Sequence, residues 1–166
     1  DGNYVLFVKP VDKLSNEGTK SNELKILKDT SSPTSSSTTP PPNSIIPPDR
    51  DKKVKIQLTI EDKGSGIDED SIQFKVCEWD GKAIIEETCK TDFSVKDDAG
   101  KFNPENFEIV TAETKGTEIT KIINAKIKYD LMYGSTEGIT KYEVSLGMTD
   151  KAGNLLSKNN EWTFTV

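Results

Sequence analysis

The sequence contains no histidine among its 166 residues. Ser-His-Asp and Cys-His sites need an imidazole as general base, and most catalytic zinc sites need one as a ligand, so these enzyme classes are excluded. Acidic residues are plentiful, which leaves a carboxylate-pair hydrolase open. Aromatic residues make up only 7% of the chain, too few for the aromatic-walled cleft expected of such an enzyme. The composition therefore favours a protein without catalytic activity.

Long apolar runs and excess positive charge are also lacking. Hydrophobic residues are 33% of the chain, charged residues are 30%, and the formal net charge is −6. No run approaches the roughly 20 apolar residues that span a bilayer, and the negative charge disfavours a nucleic-acid partner. The low apolar content fits a thin sandwich better than a large enzyme core. The chain opens at Asp1 without a signal segment, so we expect any such segment to be removed or to lie upstream.

Three zones differ in composition along the chain. Residues 1–28 and 51–166 carry apolar residues, whereas residues 29–50 are almost entirely Ser, Thr and Pro. The middle zone has no aromatic residue, and its prolines remove backbone donors, so it is not expected to fold alone. Runs of proline favour an extended polyproline II conformation. The sequence therefore predicts a semi-rigid linker over residues 29–50.

The third zone alternates apolar and polar residues with the period of a β-strand. The segment Val54–Ile60 is the clearest case, and the pattern recurs in segments 72–76, 123–129, 142–148 and 162–166. Asp80-Gly81 is typical of a two-residue hairpin turn. Many short alternating strands with turns between them predict an all-β fold, a two-sheet antiparallel sandwich.

A gapless internal repeat joins the two ends of the chain. Residues 4–27 match residues 142–165, with Tyr142 lying 138 positions after Tyr4. The identical pairs are Tyr4 and Tyr142, Asp12 and Asp150, Lys13 and Lys151, Asn16 and Asn154, Lys20 and Lys158, Asn22 and Asn160, and Glu23 and Glu161. Apolar positions agree as well. The repeat predicts a strand, a turn and a final strand that occur twice.

The turn of each predicted hairpin contains an aspartate followed four residues later by an asparagine. These are Asp12 and Asn16 in the first copy, and Asp150 and Asn154 in the second. Both side chains bond readily to nearby backbone, which suits a turn. Residues 1–28 are therefore predicted to be the last hairpin of a preceding domain, and residues 51–166 one complete domain of the same type.

A lone hairpin is marginal in water, so the first copy needs an apolar surface to cover. Two alternatives satisfy that need. The missing strands belong to a longer parent protein, or the hairpin adds to a sheet of its own second domain or of a neighbouring copy, in the latter case forming a fibre.

The turn motifs resemble a known family. Residues 150–154 (DKAGN), followed by the ending WTFTV, resemble the last hairpin of bacterial and archaeal immunoglobulin-like or fibronectin-like surface repeats. Residues 62–68 (DKGSGID) resemble the loop after their first strand, and residues 29–33 (DTSSP) resemble the junction between repeats. The resemblance implies an immunoglobulin-like sandwich in a prokaryotic extracellular or cell-surface setting. It implies a spacer in adhesins, surface-layer or filament proteins, or an accessory module beside secreted hydrolases.

Cys77 and Cys89 are the only cysteines. An extracellular setting permits a disulfide between them, and closing this short loop would contribute roughly 3 kcal/mol. A two-residue turn at Asp80-Gly81 would place Cys77 opposite Ile84, so the bridge requires the second strand to bend back. Two free buried thiols are the alternative.

Acidic loops supply two candidate calcium sites, although no cofactor is required by the composition. The first is Asp62, Asp68 and Asp70, which lie in one loop around Gly64 and Gly66. Calcium needs several oxygen ligands, but the glycine spacing is also explained by a plain turn. The second set comprises Asp49, Asp51, Asp80 and Asp150, whose loops would share one pole of a seven-strand sandwich.

Two functions from different classes follow. The first is a structural or spacer module whose partners are neighbouring domains or copies of the same protein. The alternative is a module that binds a glycan or a host-surface protein, for which the loop 97–106 and Trp79 are the candidate contacts. Neither function involves nucleic acid or a membrane span.

Overall fold

The computed structural model describes residues 2–48, 50–133, 140–157 and 160–166. These ranges contain β-strands and one 3-10 turn at Glu69–Ser71. The strands are β1 Gly2–Leu6, β2 Leu24–Lys28, β3 Thr34–Thr39, β4 Ser44–Ile45, β5 Lys53–Glu61, β6 Gln73–Trp79, β7 Ile84–Lys90, β8 Phe107–Lys115, β9 Glu118–Met132, β10 Lys141–Gly147 and β11 Glu161–Thr165. In this part of the chain no helix has the length and apolarity that a membrane crossing requires.

Nine of the strands form two sheets. One sheet has the order β4-β11-β10-β6-β7, and the other has the order β3-β5-β9-β8. Neighbouring strands are antiparallel, apart from the short parallel pair of β4 and β11. The predicted all-β, two-sheet antiparallel sandwich is confirmed.

The core lies between the two sheets and is built by the alternation that the sequence shows. In β5, Val54, Ile56, Leu58 and Ile60 are at most 4% exposed, whereas the residues between them face outward or are half-buried. β10 and β11 bury every second residue in the same way, as does β9 from Ala125 to Leu131. Each fully buried aliphatic side chain contributes roughly 1.5–3 kcal/mol, so this face holds the sheets together.

The alternation predicted for the start of β9 is wrong. Ile122 is 1% exposed and Ile123 is half-buried, the reverse of the prediction. The register between β8 and β9 shifts near Asn124, which lies opposite Thr111. A bulge inserts one extra residue and so exchanges the two faces of a strand. Downstream of the bulge, Ala125 returns to the predicted face.

The structure also corrects the linker predicted over residues 29–50. Residues 34–39 form β3, which pairs with β5 at the edge of its sheet, and residues 44–45 form β4, which pairs with β11. An edge strand is held by backbone hydrogen bonds and needs few apolar side chains. A run of Ser and Thr, which have backbone donors that proline lacks, can therefore form one. The prolines lie outside the paired residues, where no ladder donor is needed. The sandwich therefore begins before residue 51.

The first hairpin, β1–β2, repeats the register of β10–β11. Tyr4 pairs with Ile26 as Tyr142 pairs with Phe164, and the neighbouring pairs agree at the same offset. The exposure differs completely, because Tyr4 is 50% exposed whereas Tyr142 is 5% exposed. Among the described residues, β1 and β2 pair only with each other. The first copy is therefore the same ribbon without the second layer that covers it.

The predicted disulfide between Cys77 and Cys89 is present. The predicted two-residue turn is wrong, because Trp79 pairs with Ile84 and a longer turn spans residues 80–83. The register then shifts before Lys90 pairs with Val76, so β7 bends back opposite Cys77. The Thr88 hydroxyl fills the bend by accepting a hydrogen bond from the Glu78 amide (2.8 Å). This bend brings Cys89 to Cys77.

The two hairpins give a matched test of the core. We expect Phe164→Ala to lower the free energy of unfolding by about 3–5 kcal/mol, because Phe164 is fully buried. Ile26→Ala, at the equivalent position of the bare hairpin, changes it by less than about 0.5 kcal/mol. Urea denaturation followed by circular dichroism measures both. A comparable loss in the two variants would contradict the described exposure of β1–β2.

Reducing the disulfide tests its contribution. Because it closes a loop with a sequence separation of 12, we expect reduction to lower the free energy of unfolding by roughly 3 kcal/mol with the fold retained. Chemical denaturation with and without dithiothreitol gives the difference. The double variant Cys77→Ala, Cys89→Ala is the control and is expected to be insensitive to the reductant. An unchanged midpoint for the reduced chain would refute this contribution.

Candidate functional site

Three carboxylates converge at one end of the sandwich. Asp29 directly follows β2, Asp62 directly follows β5, and Asp150 lies in the turn between β10 and β11. Each offers one carboxylate oxygen, and these oxygens all lie within 4.8 Å of one another. The three residues are 8%, 1% and 1% exposed, respectively. The cluster is thus both compact and buried.

A glycine-rich loop holds Asp62 in place. The Oδ1 atom of Asp62 accepts hydrogen bonds from the amides of Gly64 (3.0 Å) and Gly66 (2.5 Å). Gly66 has a φ of +94°, which favours glycine. A Cβ on Gly64 would lie 2.0 Å from Oδ2 of Asp29, so only glycine lets the loop approach that carboxylate. The Oδ2 atom of Asp62 is buried and has no hydrogen-bond partner among the residues that the structure describes.

Asp150 is held by its own turn and by Asn154. Its Oδ1 accepts from the amides of Ala152 (2.9 Å) and Asn154 (2.8 Å), and its Oδ2 accepts from Nδ2 of Asn154 (2.7 Å). The same Nδ2 donates to the carbonyls of Asp29 (3.2 Å) and Ser31 (3.4 Å). Asn154 therefore ties the turn of the closing hairpin to the segment after β2.

The carboxylates differ in their electrostatic environment. Burial raises the pKa of Asp62, the nearby charges of Asp29 and Asp150 raise it further, and the amides of Gly66 and Gly64 oppose the shift. For Asp29, burial also raises the pKa, but hydrogen bonds from Ser31 and Ser65 prevail and hold it below its usual value. Of these two carboxylates, Asp62 is therefore the one whose negative charge its surroundings stabilise less.

The first hairpin contains the same turn without the cluster. Oδ1 of Asp12 accepts from the amides of Leu14 (2.8 Å) and Asn16 (2.9 Å), and its Oδ2 accepts from Nδ2 of Asn16 (2.9 Å). Ser15 (φ +68°) occupies the left-handed position that Gly153 (φ +88°) has in the second turn. The carboxylate cluster found among the described residues does not include Asp12. The repeated Asp and Asn motif is therefore sufficient for the turn, whereas the carboxylate cluster also requires the neighbouring segments of the sandwich.

The structure does not bring the first predicted calcium set together. Asp68 begins the 3-10 turn, where its Oδ1 accepts from the amide of Asp70 (3.3 Å). Asp70 is exposed and pairs with Lys96 (2.7 Å). Only Asp62 of that set joins the cluster. The prediction missed Asp29 because nothing local sets it apart: its Oδ1 accepts from the amide of Ser31 (3.0 Å), and Asp12 and Asp80 accept bonds of the same kind outside the cluster.

The second predicted set is not assembled either. Asp49 lies outside the described residues. Asp80 is exposed in the β6–β7 turn, where its Oδ1 accepts from the amides of Lys82 (2.7 Å) and Ala83 (2.9 Å). Asp51 is also exposed, and neither residue belongs to the cluster of Asp150.

An open groove of about 530 Å³ lies beside β3 and β11. Glu143 and Glu161 line it as diagonal neighbours on the outer face of the β10–β11 pair. Burial and the charge of Glu161 raise the pKa of Glu143. The aromatic residue of the groove, Trp162, is only 5% exposed, so its ring belongs to the core. The groove lacks the aromatic wall expected of a sugar-binding or glycoside-cleaving site.

The two binding contacts predicted from the sequence, Trp79 and the loop 97–106, already contact other residues of the chain. The ammonium group of Lys141 lies 3.7 Å from the centroid of the Trp79 ring, so that face is already covered. In the loop 97–106, Oδ1 of Asp97 accepts from the amides of Ala99 and Lys101, and Phe102 stacks on Phe107. Both features have a structural explanation.

Comparison with known proteins does not assign a function, so the function has to be argued from the structure. No protein-family model, curated protein or solved structure matches the chain. The class that the fold and site define is an all-β sandwich with a buried cluster of three aspartates at one end.

The two asparagines of the repeated turn make a matched pair of variants. We expect Asn154→Ala to lower the free energy of unfolding by about 1–3 kcal/mol, because it leaves the carbonyls of Asp29 and Ser31 and one oxygen of Asp150 without this donor. Asn16→Ala removes only the contact with Asp12 and leaves the unfolding of the sandwich unchanged. Thermal and urea unfolding measure both. Equal effects would show that Asn154 does no more than shape its own turn.

Proposed function

We propose that the chain is a non-catalytic structural or spacer module of a cell-surface or filament protein composed of tandem immunoglobulin-like repeats. In this proposal β1–β2 is the closing hairpin of the preceding repeat. The observation that carries it is the identity of the two hairpins in register and in turn hydrogen bonds. A module of this kind acts by holding and spacing, and it needs no reactive group.

The length of the repeat supports a tandem array. Equivalent positions in the two hairpins are 138 residues apart. The nine strands β3–β11, which form one complete sandwich, lie between the end of the first hairpin and the end of the second. A period that equals one folded unit is what stacked or beaded repeats require.

The bare hairpin supplies the physical reason for a preceding unit. Its apolar side chains are 39–60% exposed at the positions where β10 and β11 bury theirs. These positions are Tyr4, Leu6, Leu24 and Ile26, and their equivalents are Tyr142, Val144, Trp162 and Phe164. A second sheet of the same kind would cover them, as it does in the complete sandwich.

The disulfide supports the proposed setting. A covalent bridge between Cys77 and Cys89 is compatible with an extracellular protein, because cytosolic thiols are kept reduced. The resemblance of residues 62–68 and 150–154 to prokaryotic surface repeats points in the same direction.

Strand addition between subunits is the alternative way to cover the hairpin. In that case β1–β2 joins a sheet of a neighbouring copy, and the chains form a filament. The exposed ribbon favours this arrangement as well, but strand addition does not require that one complete sandwich lies between the two copies of the hairpin. A carbohydrate- or protein-binding accessory module remains the other class, and the covered Trp79 and the buried Trp162 give it little support.

Hydrogen exchange tests the tandem arrangement. An extended chain is made in which a second copy of residues 29–140 precedes residues 3–166. We expect the amides of β1 and β2 to exchange at least ~100-fold more slowly in the extended chain, because the added strands cover the hairpin. Leu6→Asp in the extended chain should abolish that protection.

A perfect duplication, in which residues 29–166 occur twice, is the folding control for the extended chain. If the duplication folds and β1–β2 stays unprotected in the extended chain, the hairpin does not close a preceding repeat. Filaments formed by the purified 166-residue chain, seen by electron microscopy, would support strand addition instead. Antibody labelling confined to the interior of the source cells would contradict a surface role, and a glycan-array signal would favour the binding module.

A further inference from the structure

We propose that Asp29, Asp62 and Asp150 bind a divalent cation of the calcium class at the end of the sandwich. This site goes beyond the spacer role and does not depend on it. The cluster lies among residues 29–166 and would exist in a single unit. Its three carboxylates come from three separate segments of the chain, so the cation would cross-link them.

The first argument is uncompensated charge. Three aspartates, each more than nine-tenths buried, share a space in which their oxygens lie within 4.8 Å. Burying like charges together is costly unless a cation or proton is present.

Lys121 and Lys151, which adjoin the glycine loop and the closing turn, are engaged elsewhere. Lys121 donates to the carbonyl of Gly64 (2.7 Å) and pairs with Glu113 (3.1 Å), and Lys151 pairs with Glu69 (3.6 Å). Among the described residues, none of the ion pairs involves a member of the cluster. A bound cation would supply the missing positive charge.

The second argument is the unpartnered oxygen of Asp62. This residue is 1% exposed, and its Oδ2 is a buried atom to which no other described residue donates a hydrogen bond. Its Oδ1 is already held by the amides of Gly64 and Gly66. Buried carboxylate oxygens normally have partners. The loop therefore fixes one oxygen and leaves the other for a ligand.

The chemistry of the donors selects the cation. Carboxylate oxygens suit hard cations, and calcium takes 6–8 oxygens at about 2.3–2.6 Å. Oxygens around one such ion lie no more than about 5 Å apart, which the separation in this cluster satisfies. The sequence has no histidine, and both cysteines are in the disulfide, so the imidazole and thiolate ligands that zinc prefers are absent. Magnesium is disfavoured because it demands a stricter octahedron and retains its waters.

The position of Asp29 gives the site a structural consequence. Asp29 is the first residue after β2, and it would share the cation with the loop after β5 and with the turn after β10. Asn154 already joins two of these segments, the turn after β10 and the segment after β2, through weaker, neutral hydrogen bonds. A cation would therefore fasten the junction between the first hairpin and the sandwich.

Calorimetry on the chelator-treated 166-residue chain tests the site. We expect CaCl₂ to bind once per chain with a dissociation constant of about 1 mM or lower, as in extracellular modules. It should also raise the melting temperature by several degrees, because the cation binds only the folded chain. Asp62→Asn and Asp150→Asn should each weaken binding at least tenfold.

Asp12→Asn is the matched control, because Asp12 makes the same turn bonds as Asp150 but lies outside the cluster. It should leave the dissociation constant within twofold of the unaltered chain. Asp62→Asn should also raise the melting temperature in the presence of chelator, since it removes a repelling charge and keeps an oxygen for Gly64 and Gly66. A purely structural aspartate would lower that temperature instead.

Several results would overturn the site. One is the absence of heat and of a melting shift up to ~10 mM calcium. Another is calcium binding that Asp62→Asn, Asp150→Asn and Asp29→Asn leave unchanged. Tighter binding of magnesium than of calcium would refute the calcium class. None of these results would affect the hydrogen-exchange test of the tandem repeat, so the two proposals can fail separately.

Discussion

The closure of two apolar faces on each other is the constraint on which the rest of this structure depends. Backbone hydrogen bonds join strands within a sheet, whereas the strands β5 and β9 pack on β10 and β11 through their apolar side chains. Ile56, Leu58, Ile60, Val144 and Phe164 are completely excluded from water at that contact. The turns, the bend at the disulfide and the aspartate cluster are all positioned by strands that this contact holds in place.

The first hairpin shows what happens when the constraint is not met. β1–β2 has the strand register and turn hydrogen bonds of β10–β11, yet its apolar residues face water. The register and the turn of the ribbon are thus defined by hydrogen bonds within it, but these bonds do not bury its apolar side chains. The same contrast applies to the aspartates, since Asp12 and Asp150 make equal turns and only Asp150 meets other carboxylates. A complete sandwich is what turns a repeated local motif into a candidate site.

Sequence reasoning succeeded where side chains carry the information. The alternation of Val54–Ile60 predicted β5 and its buried face, because a strand with one covered side must alternate. It failed where backbone pairing decides. β3 consists of Ser and Thr and is a strand only because β5 offers it an edge, and the start of β9 changes face at a bulge near Asn124. The bend of β7 that brings Cys89 to Cys77 is likewise a matter of register, which the Asp80-Gly81 motif did not predict.

The sequence by itself determined the local features of this protein: the strands with one apolar face, the duplicated hairpin with its Asp and Asn turns, and the exclusion of histidine-dependent chemistry. Each of these depends on neighbours in the chain, so it can be read from short segments. Only the tertiary structure decided that Asp29, Asp62 and Asp150 meet, and that Asp68 and Asp70 stay apart from them. These residues lie far apart in sequence, and their proximity is set by strand order and register, which arise when the two sheets pack.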